Sequence, residues 1–160
     1  MTPIGIDTSV IIGLLDSRDL WHPAAIHLQQ AIQTAGWEPV YFDCALAEAI
    51  GTIARRLREK GREVEVPGLL DRLRVDFPPE TITWIMPHVP RLYASVLELV
   101  RSSAGALNFN DGLIALVCRE QSIPALASFD RDFDGVAWLR RVAAPADIEI
   151  AHAAERPGDL

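Results

Sequence analysis

At 160 residues with 49% hydrophobic composition, the chain has enough apolar content for a full globular core. Its net charge of −7 excludes a uniformly basic surface, the usual source of sequence-independent affinity for nucleic acid. No apolar run is long enough to span a bilayer, and the opening Met1-Thr2-Pro3 lacks the charged flank expected of a signal peptide.

Ile4–Ile6 is a short strand candidate, closed by Asp7. Val10, Ile11, Leu14 and Leu15 then follow helical spacing. A second helix is expected from about Pro23 to Thr34, with proline at its start and Gly36 just past its end. Glu38–Phe42 reads as a strand, with Asp43 as N-cap of the next helix. In that helix Leu46, Ile50, Ile53 and Leu57 form the expected core stripe, and Gly61 ends it.

Residues 67–76 suggest a short helix, and Pro78-Pro79 breaks the chain. Glu80 to Met86 alternates as a strand would, with Ile82, Trp84 and Met86 opposite Thr81, Thr83 and Ile85. Leu92, Val96, Leu99 and Val100 mark another helix. Asn108–Asn110 caps the next one, whose Leu113, Ile114, Leu116, Val117 and Cys118 are apolar on most sides, as in a central helix. Ala125–Ser128 and a segment near Trp138–Val142 complete the strands. Strands alternating with helices predict an α/β fold, a three-layer α/β/α sandwich around a central parallel sheet. One domain over residues 1–152 is expected, with a frayed tail at 153–160.

Four carboxylates punctuate this pattern. Asp7 follows the first strand, Glu48 lies early in the helix after Asp43, Asp111 opens the apolar helix, and Asp130 follows the strand at 125–128. In an open parallel sheet, strand ends and helix starts share one edge, so these positions converge. Carboxylates gathered there repel one another unless a divalent cation holds them, and hard oxygen donors suit Mg²⁺ or Mn²⁺. Metal-dependent phosphodiester hydrolysis is the chemistry this implies.

Taken singly, each acid has a plainer explanation. Asp7 and Asp111 could be helix caps, and Asp130 a turn residue. Glu48 points about 200° away from Leu46 on a helical wheel, on a face with Thr52 and Arg55, and its small flanking residues Ala45 and Ala49 are expected to leave room for a ligand. By periodicity alone a solvated glutamate explains it better than a ligand. The joint placement is what capping does not require. No phosphate-binding glycine loop and no nucleophile elbow competes, and His22, His27, His88 and His152 match no metal-ligand spacing. Cys44 and Cys118 read as buried free thiols, which favours a reducing cytoplasm. The basic runs Arg55-Arg56, Arg58, Lys60, Arg62 and Arg140-Arg141 read as solvated faces.

The motifs Ile4-Gly5-Ile6-Asp7-Thr8-Ser9-Val10-Ile11-Ile12, Trp21-His22-Pro23-Ala24-Ala25, Ala45-Leu46-Ala47-Glu48, Asn110-Asp111-Gly112-Leu113-Ile114-Ala115 and Leu126-Ala127-Ser128-Phe129-Asp130-Arg131-Asp132-Phe133 together resemble the PIN domain family. The resemblance is closest to the VapC-type toxin ribonucleases of prokaryotic toxin–antitoxin pairs, and runs from residue 4 to about 142. It implies that Asp7, Glu48, Asp111 and Asp130 are the acidic metal-binding and catalytic positions, with Asp7 and Asp111 on the first cation. It also places Ser9 and Ser128 near the site and makes Asp132 an auxiliary acid. Arg55, on the Glu48 face, is the candidate phosphate contact.

The resemblance further implies an RNA substrate, a small antitoxin partner and a homodimer. Segment 61–80 and the lead-in Asn108-Phe109-Asn110 depart from the family pattern. Two alternatives remain open on the residues. One is a catalytically silent PIN-like module that binds RNA or protein. The other is a small-molecule phosphohydrolase, disfavoured because Ser9 stands where one such family has a second aspartate.

Overall fold

Ile4 and Ile6 are buried, as expected of a strand covered on both faces. They belong to β1 (Pro3–Ile6), the middle strand of a five-stranded sheet in the computed structural model, which describes residues 1–148. The chain continues through α1 (Thr8–Leu15), α2 (His22–Thr34), β2 (Glu38–Phe42), α3 (Asp43–Glu59), α4 (Val66–Asp76) and β3 (Ile82–Thr83). It then forms α5 (Val89–Ser102), α6 (Phe109–Glu120), β4 (Ala125–Ala127) and β5 (Arg140–Val142). Strand order is β3-β2-β1-β4-β5, and every pairing is parallel. Helices cover the sheet, giving the expected α/β/α sandwich. The expected domain limit at 152 and the tail at 153–160 lie outside the described residues.

This order fixes where a site can form. From β1 the chain builds β2 and β3 on one side, then returns to lay β4 and β5 on the other. The crevice at the carboxyl ends of β1 and β4 is therefore the topological switch point. Ile6 pairs with Ala127 at that edge, and the Asp7 N–H donates to the Ala127 carbonyl at 3.0 Å.

Local signals account for several boundaries. Gly36 and Gly61 take φ of +69° and +65° just beyond α2 and α3, where a side chain would be strained. Helix α6 is buried from Asp111 to Cys118, as its all-round apolar sequence predicts.

Three expectations change. The strand expected over Glu80–Met86 shrinks to Ile82–Thr83, flanked by 3-10 turns at Pro79–Thr81 and Met86–His88. Its alternation does not sort by burial, because Trp84 and Met86 are exposed while Ile85 is fully buried. Asp43 takes the Ile85 and Met86 N–H groups on its carboxylate, which removes them from any ladder. Asp43 is accordingly the first residue of α3 rather than its cap, a position held by Phe42. The core face of α3 also differs. Cys44, Ala45, Leu46, Ala49, Ile53 and Leu57 are buried, and Ile50 is only half-buried. Ala45 and Ala49 therefore do not leave room for a ligand; they let α3 sit close to α1, where the Thr8 hydroxyl lies 3.5 Å from the Ala45 carbonyl.

Close packing also sets Gly13 in α1. A Cβ there would lie 2.8 Å from the Ala25 Cβ and 3.3 Å from the Trp21 carbonyl oxygen. Ala25 is fully buried and its Cβ is fixed to the backbone, so it cannot turn aside. Gly13→Ala gains about 1 kcal/mol of helix propensity but loses about 1–3 kcal/mol to overpacking. A net destabilisation is expected in urea unfolding; an unchanged or raised midpoint would show that α2 yields freely.

Candidate active site

Asp7 is placed by the turn from β1 into α1 and is 4% exposed. It is the N-cap of α1. Its Oδ2 accepts the Ser9 hydroxyl at 2.8 Å and the Ser128 hydroxyl at 2.7 Å. Each serine also accepts a backbone donor: Phe129 N–H reaches Ser9 Oγ at 3.1 Å, and Asp130 N–H reaches Ser128 Oγ at 3.0 Å. A hydroxyl has one hydrogen, and both are spent on Asp7. The Ser9–Ser128 approach of 3.5 Å is then a contact between acceptors. Two hydroxyls thus tie the end of β1 to the turn after β4, and both orient the Asp7 carboxylate. Burial drives the Asp7 carboxyl above its ordinary range, against these hydrogen bonds, which pull it down.

Asp111 arrives from the other side of the crevice. It is the third residue of α6 and completes a capping box with Asn108. Asn108 Oδ1 accepts the Asp111 N–H, and Asp111 Oδ2 accepts the Asn108 N–H, both at 2.9 Å. Asp111 is therefore not redundant as a cap: it satisfies a donor that Asn110 does not reach. Its carboxyl is pushed up to about 7, first by burial and then by the charges of Asp7, Glu48 and Asp130. Those three contributions place all four acids within one electrostatic field.

Glu48 and Asp130 are half-buried. Asn110 Nδ2 donates to Glu48 Oε2 at 3.1 Å, joining α6 to α3. Asp130 caps the 3-10 turn Arg131–Gly135, with its Oδ1 accepting the Asp132 N–H at 2.9 Å. Asp132 itself is exposed, and its charge is not among those raising Asp111. Arg55 stands two helical turns beyond Glu48, about 10 Å along the axis. It is well exposed and pairs with Glu59 at 4.0 Å.

Two participants escaped the sequence reading. Asn110 was legible only as one of several capping residues. Arg141 read as part of a solvated basic pair, but its Nη1 donates to the Ser128 carbonyl at 3.2 Å while Asp134 holds its Nε at 2.6 Å. It braces the turn that carries Ser128 and Asp130. Cys44 and Cys118 are buried free thiols as expected, and burial pushes both up to about 12, well away from thiolate chemistry.

The donor chemistry fits a hard divalent cation. In hydrogen bonds among the described residues, Asp111 uses only Oδ2, Glu48 only Oε2 and Asp130 only Oδ1. Each keeps an oxygen for a ligand, and all are oxygen donors. Among the described residues, no three His, Cys, Asp or Glu side chains form a group compact enough to hold a metal ion. The acids share a field without closing on a common point.

A family model described as PIN domain matches residues 4–139. No curated protein and no solved structure matches the chain.

The crowding of Asp111 has a measurable consequence in metal-free protein. Its folded pKa lies above the ordinary value, so the folded state binds this proton more tightly than the unfolded state. Stability on its account is present at low pH and lost as pH rises from about 4 toward about 7. Between pH 5 and 7.5, wild type should lose about 1–3 kcal/mol relative to Asp111→Asn, which keeps a capping oxygen. Parallel stability curves for the two proteins in EDTA would show that the Asp111 carboxyl is not pushed up by its surroundings.

Proposed function

Because the chain belongs to the PIN domain family, a nuclease-type fold, we propose that it is a Mg²⁺- or Mn²⁺-dependent endoribonuclease, the toxin of a toxin–antitoxin pair. The observation that carries this reading is that Asp7, Glu48 and Asp130, each from a separate element, lie near enough to Asp111 for their charges to add to burial in pushing its carboxyl up to about 7. Asp7 and Asp111 would hold the cation, with Glu48 and Asp130 completing its shell directly or through water. When bound, the cation lowers the pKa of a water nucleophile and stabilises charge on the scissile phosphate.

The chain's own residues prepare that arrangement. Ser9 and Ser128 fix the Asp7 carboxylate, so its orientation costs nothing at the moment of binding. Asn110 does the same for Glu48. Asp111 must give up its proton on binding, which a neighbouring cation favours. Arg55 is proposed as a phosphate contact that exchanges Glu59 for RNA. The homodimer is supported by Tyr93 and Leu97, both exposed and one turn apart on α5. The antitoxin partner and the cytoplasmic setting rest on the motif resemblance and on the free cysteines. No helix among the described residues is long and apolar enough to cross a membrane.

A silent binding module is the second reading, favoured by the absence of a compact ligand group among the described residues. Metal and RNA decide between the two. With Mn²⁺, wild type should rise in melting temperature by mass action and cut single-stranded RNA; EDTA should abolish both effects. Asp111→Asn should fold within about 1 kcal/mol of wild type, gain no stability from Mn²⁺ and leave the RNA intact. RNA cleavage by folded Asp111→Asn, or wild type indifferent to Mn²⁺ and inert toward RNA, would remove the nuclease reading. In an RNA-binding titration at several salt concentrations, Arg55→Ala should flatten the salt dependence by about one phosphate contact; an unchanged slope leaves Arg55 a solvated helix residue.

A further inference from the structure

Beside the carboxylates stands an aromatic pair that neither the metal chemistry nor the capping explains. Trp21, just ahead of α2, stacks on Phe129, in the turn after β4, with ring centroids 4.7 Å apart and an interplanar angle of 11°. Phe129 is half-buried, whereas Trp21 is 45% exposed. Phe129 is bound into the site, since its N–H donates to Ser9 Oγ, which donates to Asp7 Oδ2. The Trp21 backbone is held on both sides: its N–H donates to Asp19 Oδ1 at 2.8 Å, and its carbonyl accepts the Ala25 N–H at 2.8 Å. Arg56 locks Asp19 in turn, at 2.7 Å. The indole N–H makes no hydrogen bond among the described residues.

We propose that Trp21 and Phe129 form a platform on which a nucleobase of single-stranded RNA stacks against the open face of the indole, beside the acidic crevice. The proposal takes its substrate from the nuclease reading, but its physics is separate. At a net charge of −7 the protein has little general attraction for a polyanion. Arg56, which meets the Trp21 turn through Asp19, is already committed to Asp16 and Asp19. A term that does not need positive charge then gains weight in binding. Stacking on an aromatic face is such a term, and it tolerates any base because every base has a π-face. A platform already stacked and anchored loses little freedom when a base extends the stack.

The test is binding of short fluorescent oligo(A), and of an oligomer of the same length lacking bases, in EDTA so that binding is read apart from cleavage. Trp21→Leu keeps an apolar cover on Phe129 without a π-face, and Trp21→Phe keeps a ring. Trp21→Leu should weaken oligo(A) binding about tenfold with an unchanged salt slope, and Trp21→Phe should recover most of it. The baseless oligomer should bind all three proteins alike. In a Trp84→Phe background, which removes the most exposed of the other indoles, oligo(A) should quench tryptophan fluorescence as it saturates.

Equal oligo(A) affinity of Trp21→Leu and wild type, equal losses for both oligomers, absence of quenching at saturation, or no oligo(A) binding by wild type would each overturn the platform. The quenching arm stands even if Trp21→Leu does not fold. Base-dependent binding by a protein that never cuts RNA would end the nuclease reading and keep the platform; cleavage with Trp21-independent binding would do the reverse.

Discussion

Holding a buried carboxylate in place at the end of the central strand is the constraint around which this molecule is arranged. Asp7 sits where β1, β4 and α1 meet, and its carboxyl is driven up by burial. Leaving it without partners would cost several kcal/mol. The two serines supply those partners, and each also takes a backbone N–H from the turn after β4. The bonds that make the buried acid tolerable are therefore the same bonds that set the geometry of the Asp130 turn. Arg141 and Asp134 reinforce that turn from outside.

The second side of the crevice follows a similar economy. Asp111 caps α6 through one oxygen and leaves the other without a hydrogen bond among the described residues, while Asn110, next to it in the same first turn, holds Glu48. On the nuclease reading, structural and ligand roles would thus be divided between atoms of one residue. The capping roles of Asp7, Asp111 and Asp130 are real, and in Asp111 and Asp130 they leave one carboxylate oxygen without a hydrogen bond among the described residues.

On the nuclease reading, an acidic protein must balance attraction to its substrate against repulsion. Six of the fourteen described Lys and Arg side chains are in ion pairs, among them Arg56 with Asp16 and Asp19, Arg91 with Glu120, and Arg141 with Asp134. Such exposed or half-exposed pairs contribute little stability, but they withdraw positive charge from the surface. Neutralisation of the crevice by a cation and stacking on aromatic faces are two routes to affinity that do not depend on a basic surface.

The sequence by itself determined the α/β order, the helix ends at Gly36 and Gly61, the buried character of α6 and the position of the four acids along the chain. These are local signals: periodicity, left-handed glycines, and acids at strand-to-helix junctions. The tertiary structure decided what the acids touch. Ser128 reaches Asp7 across 121 positions and Asn110 reaches Glu48 across 62, separations over which no local pattern carries information. It also decided β3, where Asp43 captures the backbone donors of Ile85 and Met86 and overrides a period-two pattern. Ala45 and Ala49 make the same point, since small residues read alike as open space or as close contact. Only the neighbouring helix settles which, because close packing is a property of two surfaces.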